Sequence, residues 1–289
     1  MRIVIIGGAQ RSGTTLTQTL IANALPNAPL LPEAHIPHDL LRSWKRAKSQ
    51  WTKTSQFYEN KGDALHYFQS AMTMHLNDVA ARYSAAEYLV LKDPNFVDAL
   101  PEIVELIPAA SILVCVRDPR DIVASFIKIG QRDTERKQTT RYSRREISFI
   151  CRKINASYRA IIECDIPPSV SLVRYEDIVT YPADTLRRLA NETGLPLNPY
   201  RADSLTWLED EYRHQKTWQT ELEGGPPTPR SVGSFRQSLG YFERAQIQRS
   251  CDLLIAKLRY TNETSDGIVL TLYELTRRLF RRMRGRSDN

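Results

Sequence analysis

Apolar residues in this chain gather into short runs separated by longer mixed stretches. The run from Arg2 to Gly7 is β-branched and strand-length, the pattern of a strand buried on both faces of a parallel sheet. Glu87–Leu91 (EYLVL), Ser111–Val116 (SILVCV) and Val170–Val173 (VSLV) repeat it. Between them the spacing predicts helices over Thr14–Leu25, stopped by Pro26, and over Asp63–Ser84, with Asp63 as N-cap after a break at Gly62. Further helices are predicted over Asp121–Ile129, Arg145–Cys164 and Pro182–Thr193, the last with Gly194 as its stop. Residues 27–34 (NAPLLPEA) read as a Pro-broken loop, and residues 38–60 as helical in part. Residues 131–145, dense in Arg, Lys and Thr, read as an exposed, mobile loop.

Strands alternating with helices predict an α/β fold: three layers, α/β/α, around a central parallel sheet of the P-loop NTPase type. No internal repeat or linker interrupts the chain, so one domain over residues 1–289 is expected. Residues 266–289 read as a basic C-terminal helix or tail. Its Ile268, Leu272, Leu275, Leu279 and Met283 form one stripe, with arginines beyond them. Such a helix packs on its domain, or it makes peripheral contact with an anionic membrane.

Charge narrows the ligand class. Forty Lys and Arg against 33 Asp and Glu give a net +7, which favours anionic ligands. The four cysteines (Cys115, Cys151, Cys164, Cys251) are scattered and form no metal-binding pair, and Cys115 lies in an apolar run as a packing residue. Only four apolar residues follow Arg2 before glycines intervene, too few for a signal peptide, so a cytoplasmic location is expected. No nucleic-acid partner is expected, and oligomeric state is not legible.

The first chemical signal follows the first strand. Gly8 to Thr15 (GAQRSGTT) has the spacing of a phosphate loop, with glycines at 8 and 13 and a hydroxyl at Thr15. Backbone N–H groups at such a strand–turn–helix junction surround one anion, and the helix dipole assists. The lysine that reaches β- and γ-phosphates is absent; Thr14 stands in its place, and the cation is Arg11, inside the turn. That arrangement suits a 5′-phosphate bearing one further anionic group better than a triphosphate with magnesium.

Arg11–Thr15 (RSGTT) and Val114–Ser125 (VCVRDPRDIVAS) together resemble the sulfotransferases that use 3′-phosphoadenosine 5′-phosphosulfate (PAPS). The resemblance implies that Arg11, Ser12, Gly13, Thr14 and Thr15 hold the 5′-phosphosulfate, and that Arg117 and Ser125 hold the 3′-phosphate. Tyr175, in YED, then lies beside the adenine. RSVGSFR at 230–236 is similar to a late loop of the family, which implicates Arg230, Ser231 and Gly233, with Ser234 and Arg236 as further candidates. Adenosine 3′,5′-bisphosphate (PAP) is the implied product, and no metal is required.

Sulfuryl transfer needs a base for the acceptor proton and cations for the transferring and leaving groups. Lys92, in KDP at the end of the second strand, resembles the catalytic lysine of the tyrosylprotein-like branch; Pro94 stands where the cytosolic branch carries a histidine base. The resemblance assigns the base to Glu33 in LLPEAH, with His35 and His38 as rivals, and transition-state stabilisation to Lys92 and Arg11. The acceptor, whether small molecule, carbohydrate or peptide, is not legible. Two alternatives stay open: a P-loop kinase using Asp93 or Asp118 for magnesium, and a non-catalytic nucleotide- or polyanion-binding protein.

Overall fold

A computed structural model describes residues 1–83, 86–163, 166–208, 222 and 224–261. In chain order the strands are β1 (Arg2–Gly8), β2 (Tyr88–Lys92), β3 (Ser111–Val116) and β4 (Val170–Arg174). The helices are α1 (Thr14–Ala24), α2 (His35–Ser49), α3 (Trp51–Thr54), α4 (Lys61–Arg82), α5 (Leu100–Leu106), α6 (Pro119–Glu135) and α7 (Ile147–Ser157). Then follow α8 (Arg159–Glu163), α9 (Tyr175–Thr180), α10 (Pro182–Thr193), α11 (Phe235–Ser238), α12 (Tyr241–Ser250) and α13 (Asp252–Lys257). The expected tail at 266–289 and Cys164 lie outside the described residues.

Among the described residues these elements divide into two compact units: one drawn from 1–117 and 156–232, the other from 118–155 and 233–261. The first holds the sheet, which is parallel throughout in the order β2-β1-β3-β4. The register aligns Ile6 with Lys92 on one side and Gly8 with Cys115 on the other. Side chains alternate across it as a strand demands. Val4, Ile6, Val90, Leu113, Cys115 and Val173 share a core with Leu20 and Ile21 of α1 and Leu186 and Leu189 of α10. Ile3, Ile5, Leu89, Leu91, Ile112 and Val114 point the other way and are also buried, so both faces are covered and the central-sheet α/β expectation holds.

Some boundaries differ from the sequence reading. The N-cap of α4 is Asn60, whose side chain accepts from the Asp63 N–H at 3.1 Å and donates to the Asp63 carboxylate at 2.9 Å; Asp63 is the third helical residue. A 3₁₀ turn over Pro94–Ala99 and α5 occupy a stretch for which no element was predicted. The single helix expected over 145–164 breaks at Tyr158, a fully buried side chain whose hydroxyl donates to the Cys115 carbonyl at 2.7 Å.

The second unit corrects the loop expected at 131–145. Helix α6 starts at Pro119, capped by Asp118, and runs on to Glu135. The turn beyond it is packed: Tyr142 stacks on Phe126 at 4.8 Å, Thr140 donates to buried Asp133 at 2.8 Å, and Thr140 and Ser143 exchange hydrogen bonds. Arg145 then grips Glu243 of α12 with both carboxylate oxygens at 2.8 Å. Most of 131–145 is exposed, as expected, but buried Asp133 and half-buried Thr140, Tyr142 and Ser143 pin the turn.

Candidate active site

The phosphate loop is shaped by two glycines. Gly8 has φ 148°, and a Cβ there would lie 2.5 Å from the Cys115 carbonyl oxygen. Gly13, the N-cap of α1, has φ 95°, and a Cβ there would lie 2.5 Å from the Tyr175 ring. Only glycine meets both demands. Between them the Ser12 N–H closes onto the Ala9 carbonyl at 3.0 Å, and Arg11 is held at φ 75°. A left-handed non-glycine residue costs about 1–2 kcal/mol, a strain typical of functional turns. No side chain caps α1. The first-turn N–H groups of Thr14 and Thr15 lie at the positive end of the helix dipole, next to the loop.

Arg117 closes the other side of this turn. Leaving β3, its Nη1 donates to the Arg11 carbonyl at 3.0 Å and its Nη2 to the Ser231 carbonyl at 2.9 Å. The guanidinium lies 4.1 Å from the centre of the Tyr175 ring, and the Tyr175 and Ser231 hydroxyls are hydrogen-bonded at 2.6 Å. The structure thus brings Arg11, Gly13, Arg117, Tyr175 and Ser231 into one corner. Arg230 is exposed in the 3₁₀ turn that carries Ser231. The Nε of Arg117 is buried with no hydrogen-bond partner among the described residues. A buried donor without an acceptor fits an anionic ligand supplying one.

Glu33 and Lys92 meet beside this corner. The two residues form a parallel β-bridge, with the Ala34 N–H donating to the Lys92 carbonyl at 2.9 Å. The ammonium of Lys92 donates to Glu33 Oε1 at 2.6 Å. The lysine side chain is only 6% exposed and the glutamate 42%, so the cation is walled in while the carboxylate opens outward. Lys92 pairs with Ile6, two residues before the loop glycine Gly8.

The rivals for the base are placed differently. His35 is exposed; its Nε2 is 4.0 Å from Glu33 Oε2 and its Nδ1 is 3.6 Å from Asp93 Oδ2, beyond hydrogen-bonding reach. His38 packs edge-on against Phe96. Asp93 caps the 3₁₀ turn by accepting the Asn95 N–H at 2.8 Å, and Asp118 gives both oxygens to Arg120. The two carboxylates named as magnesium ligands in the kinase alternative are therefore committed to protein partners. Burial pushes the Cys115 thiol up to about 12, so it stays protonated, donating to Thr17 at 3.2 Å as a core residue.

In the second unit, Ser125 is half-buried on α6. Gly233 is not a spare donor: its N–H goes to Asp121 Oδ2 at 2.7 Å. Asp121, buried to 1% exposure, also accepts from the Ser234 hydroxyl at 3.1 Å and the Phe235 N–H at 3.0 Å. Sequence reasoning missed this carboxylate. Its signal was a second acidic residue in RDPRD, beyond the one that caps the helix.

The profile of the sulfotransferase family matches residues 3–199. Protein-tyrosine sulfotransferase A of Caenorhabditis elegans is 28% identical over 200 residues, 67% of this chain and 50% of that protein. Protein-tyrosine sulfotransferase 1 of Danio rerio is 26% identical over 199 residues, 68% of this chain and 54% of that one. The chain thus spans about half the length of these curated relatives. The sulfotransferase domain of the Synechococcus PCC 7002 olefin synthase superposes with TM-score 0.54 at 18% identity, covering 90% of this chain and 95% of that domain, and shows the same fold. The match covers the phosphate loop, the Glu33–Lys92 pair, the RDP turn and Tyr175, and the chain belongs to the sulfotransferase family.

Proposed function

We propose that this chain transfers a sulfuryl group from PAPS to an acceptor hydroxyl or amine, with Glu33 as general base. The observation that carries the proposal is the 2.6 Å contact between Lys92 and Glu33, made at the strand end next to the phosphate loop. It sets a proton acceptor and a buried cation side by side, as an in-line displacement requires.

PAPS would sit with its 5′-phosphosulfate in the turn from Arg11 to Thr15, and would supply the sulfuryl group. Within the first unit, Arg117, Arg230 and Ser231 are assigned to its 3′-phosphate, and Tyr175 to its adenine side. Glu33 takes the acceptor proton on its open carboxylate. Lys92 and Arg11 neutralise charge developing on the transferring and leaving groups, with the first-turn amides of α1.

Among the described residues no group of three or more His, Cys, Asp or Glu is placed to hold a metal ion, and no helix is long and apolar enough to cross a membrane. The tyrosine sulfotransferases among the relatives make a tyrosyl hydroxyl the first acceptor to try. The test is transfer of label from [³⁵S]PAPS to tyrosyl peptides and to a panel of phenols, alcohols, amines and sugars. Equal yields of sulfated acceptor and PAP are expected. ATP–Mg²⁺ turnover without PAPS turnover would overturn the proposal in favour of a kinase.

A further inference from the structure

Residues 25–34 leave α1 and reach α2 without regular structure, apart from the bridge at Glu33, yet they carry that residue to Lys92. Between its ties to Glu87 and to Lys92, the strap is held by a side chain on the phosphate-loop helix. Gln18, on α1 one turn beyond Thr14, is buried to 5% exposure. Its Nε2 donates to the Leu31 carbonyl at 2.9 Å and to the Val90 carbonyl at 3.1 Å. A primary amide nitrogen has two hydrogens, and both are used.

The two acceptors are informative. Leu31 lies two residues before Glu33, and Val90 two residues before Lys92. One amide therefore joins the helix that begins at the phosphate loop, the strand that ends in the cation, and the strap that ends in the carboxylate. A core position on α1 needs only volume, which leucine or methionine would fill. A buried amide is tolerated there because both its hydrogens find carbonyls. Glutamate would set acceptor against acceptor, and asparagine is one methylene too short to span both sites.

We infer that Gln18 is a positioning residue: it sets the placement of Glu33 against Lys92, and so aims the base at the acceptor. The inference rests on the reading of Glu33 and Lys92 as the reacting pair. Gln18 is buried and acts through the carbonyls it holds, Leu31 on the strap and Val90 on β2.

The test uses Gln18→Met, which keeps length without donors, and Gln18→Glu, which keeps shape and reverses the hydrogen bonding. PAP binding, measured by calorimetry, counts the folded sites, and the rate of ³⁵S transfer is expressed per PAP-binding site. PAP affinity should stay within about twofold of wild type. The rate per site should fall by as much as about 10²-fold, the cost of roughly 1 Å of misplacement. Because Gln18 acts through Glu33, adding Gln18→Met to Glu33→Gln should change the residual rate by less than about twofold.

A wild-type rate per site in both variants overturns the inference, as does PAP affinity falling in step with the rate. If neither variant yields PAP-binding protein, Gln18 is a folding residue and the inference also fails. Failure of the underlying reading shows separately: Glu33→Gln at full rate removes Glu33 as the base, whatever the Gln18 variants do.

Discussion

The turn from Gly8 to Thr15 and the strap from Pro26 to Ala34 flank the same helix, but they are shaped by opposite means. The turn is set mainly by its own backbone, with glycines at positive φ, an Ala9–Ser12 hydrogen bond and the start of α1 directly after it, and Arg117 donating to the Arg11 carbonyl from outside. The strap depends on outside partners: the Glu87 N–H and carboxylate on Asn27, Gln18 on Leu31, and Lys92 on Ala34 and Glu33. A turn built from its own residues keeps one geometry for an invariant ligand group. A strap held by a few long-range hydrogen bonds, with Leu30 and Leu31 against the core, places a single side chain.

Substitutions at the two regions should therefore separate turnover from cofactor affinity. The largest effect is expected for Glu33→Gln, which keeps an oxygen for Lys92 but removes the base. The transfer rate should drop by about 10²–10⁴-fold with PAP affinity unchanged. Lys92→Met should lower the rate by about 10²–10³-fold, again leaving PAP affinity near wild type. A large loss of PAP binding in either variant would erase the distinction between the two regions.

Arg117→Ala probes the opposite corner. It removes charge-assisted donors and the stack on Tyr175, and should weaken PAP binding by roughly 10–100-fold in calorimetry. Unchanged affinity would remove Arg117 from the 3′-phosphate site. The smallest expected effect belongs to Asp121→Asn. The amide keeps one oxygen and turns N–H donors toward either the Gly233 N–H or the Phe235 N–H, which should cost ~1–3 kcal/mol in urea unfolding. A wild-type midpoint would show that those donors find other acceptors.

The same contrast explains what the sequence made legible. The strand runs, the phosphate loop and the KDP and RDP turns are local patterns, readable because each feature lies within a dozen residues. Their positions in the structure match the reading closely: β1 ends at Gly8 and α1 begins at Thr14. Gln18 and Asp121 were not legible, because their partners lie up to 72 and 114 residues away. Helix α9 was hidden for a related reason. The strand reads as Val170–Val173 with no element after it, yet Tyr175 packs on Gly13, and the helix starts there. Asn60 and Asp63 are both good capping residues, and only the hydrogen bonds show that Asn60 is the cap.

The most direct test of PAPS-dependent sulfuryl transfer is the label itself. The full chain is incubated with [³⁵S]PAPS and the acceptor panel, with Glu33→Gln in parallel. Labelled acceptor and PAP should appear in equal amounts with the wild-type chain, and fall together with the variant. PAPS bound at the loop with no acceptor labelled, or equal labelling by the wild type and Glu33→Gln, would contradict the assignment of transfer to the Glu33–Lys92 pair.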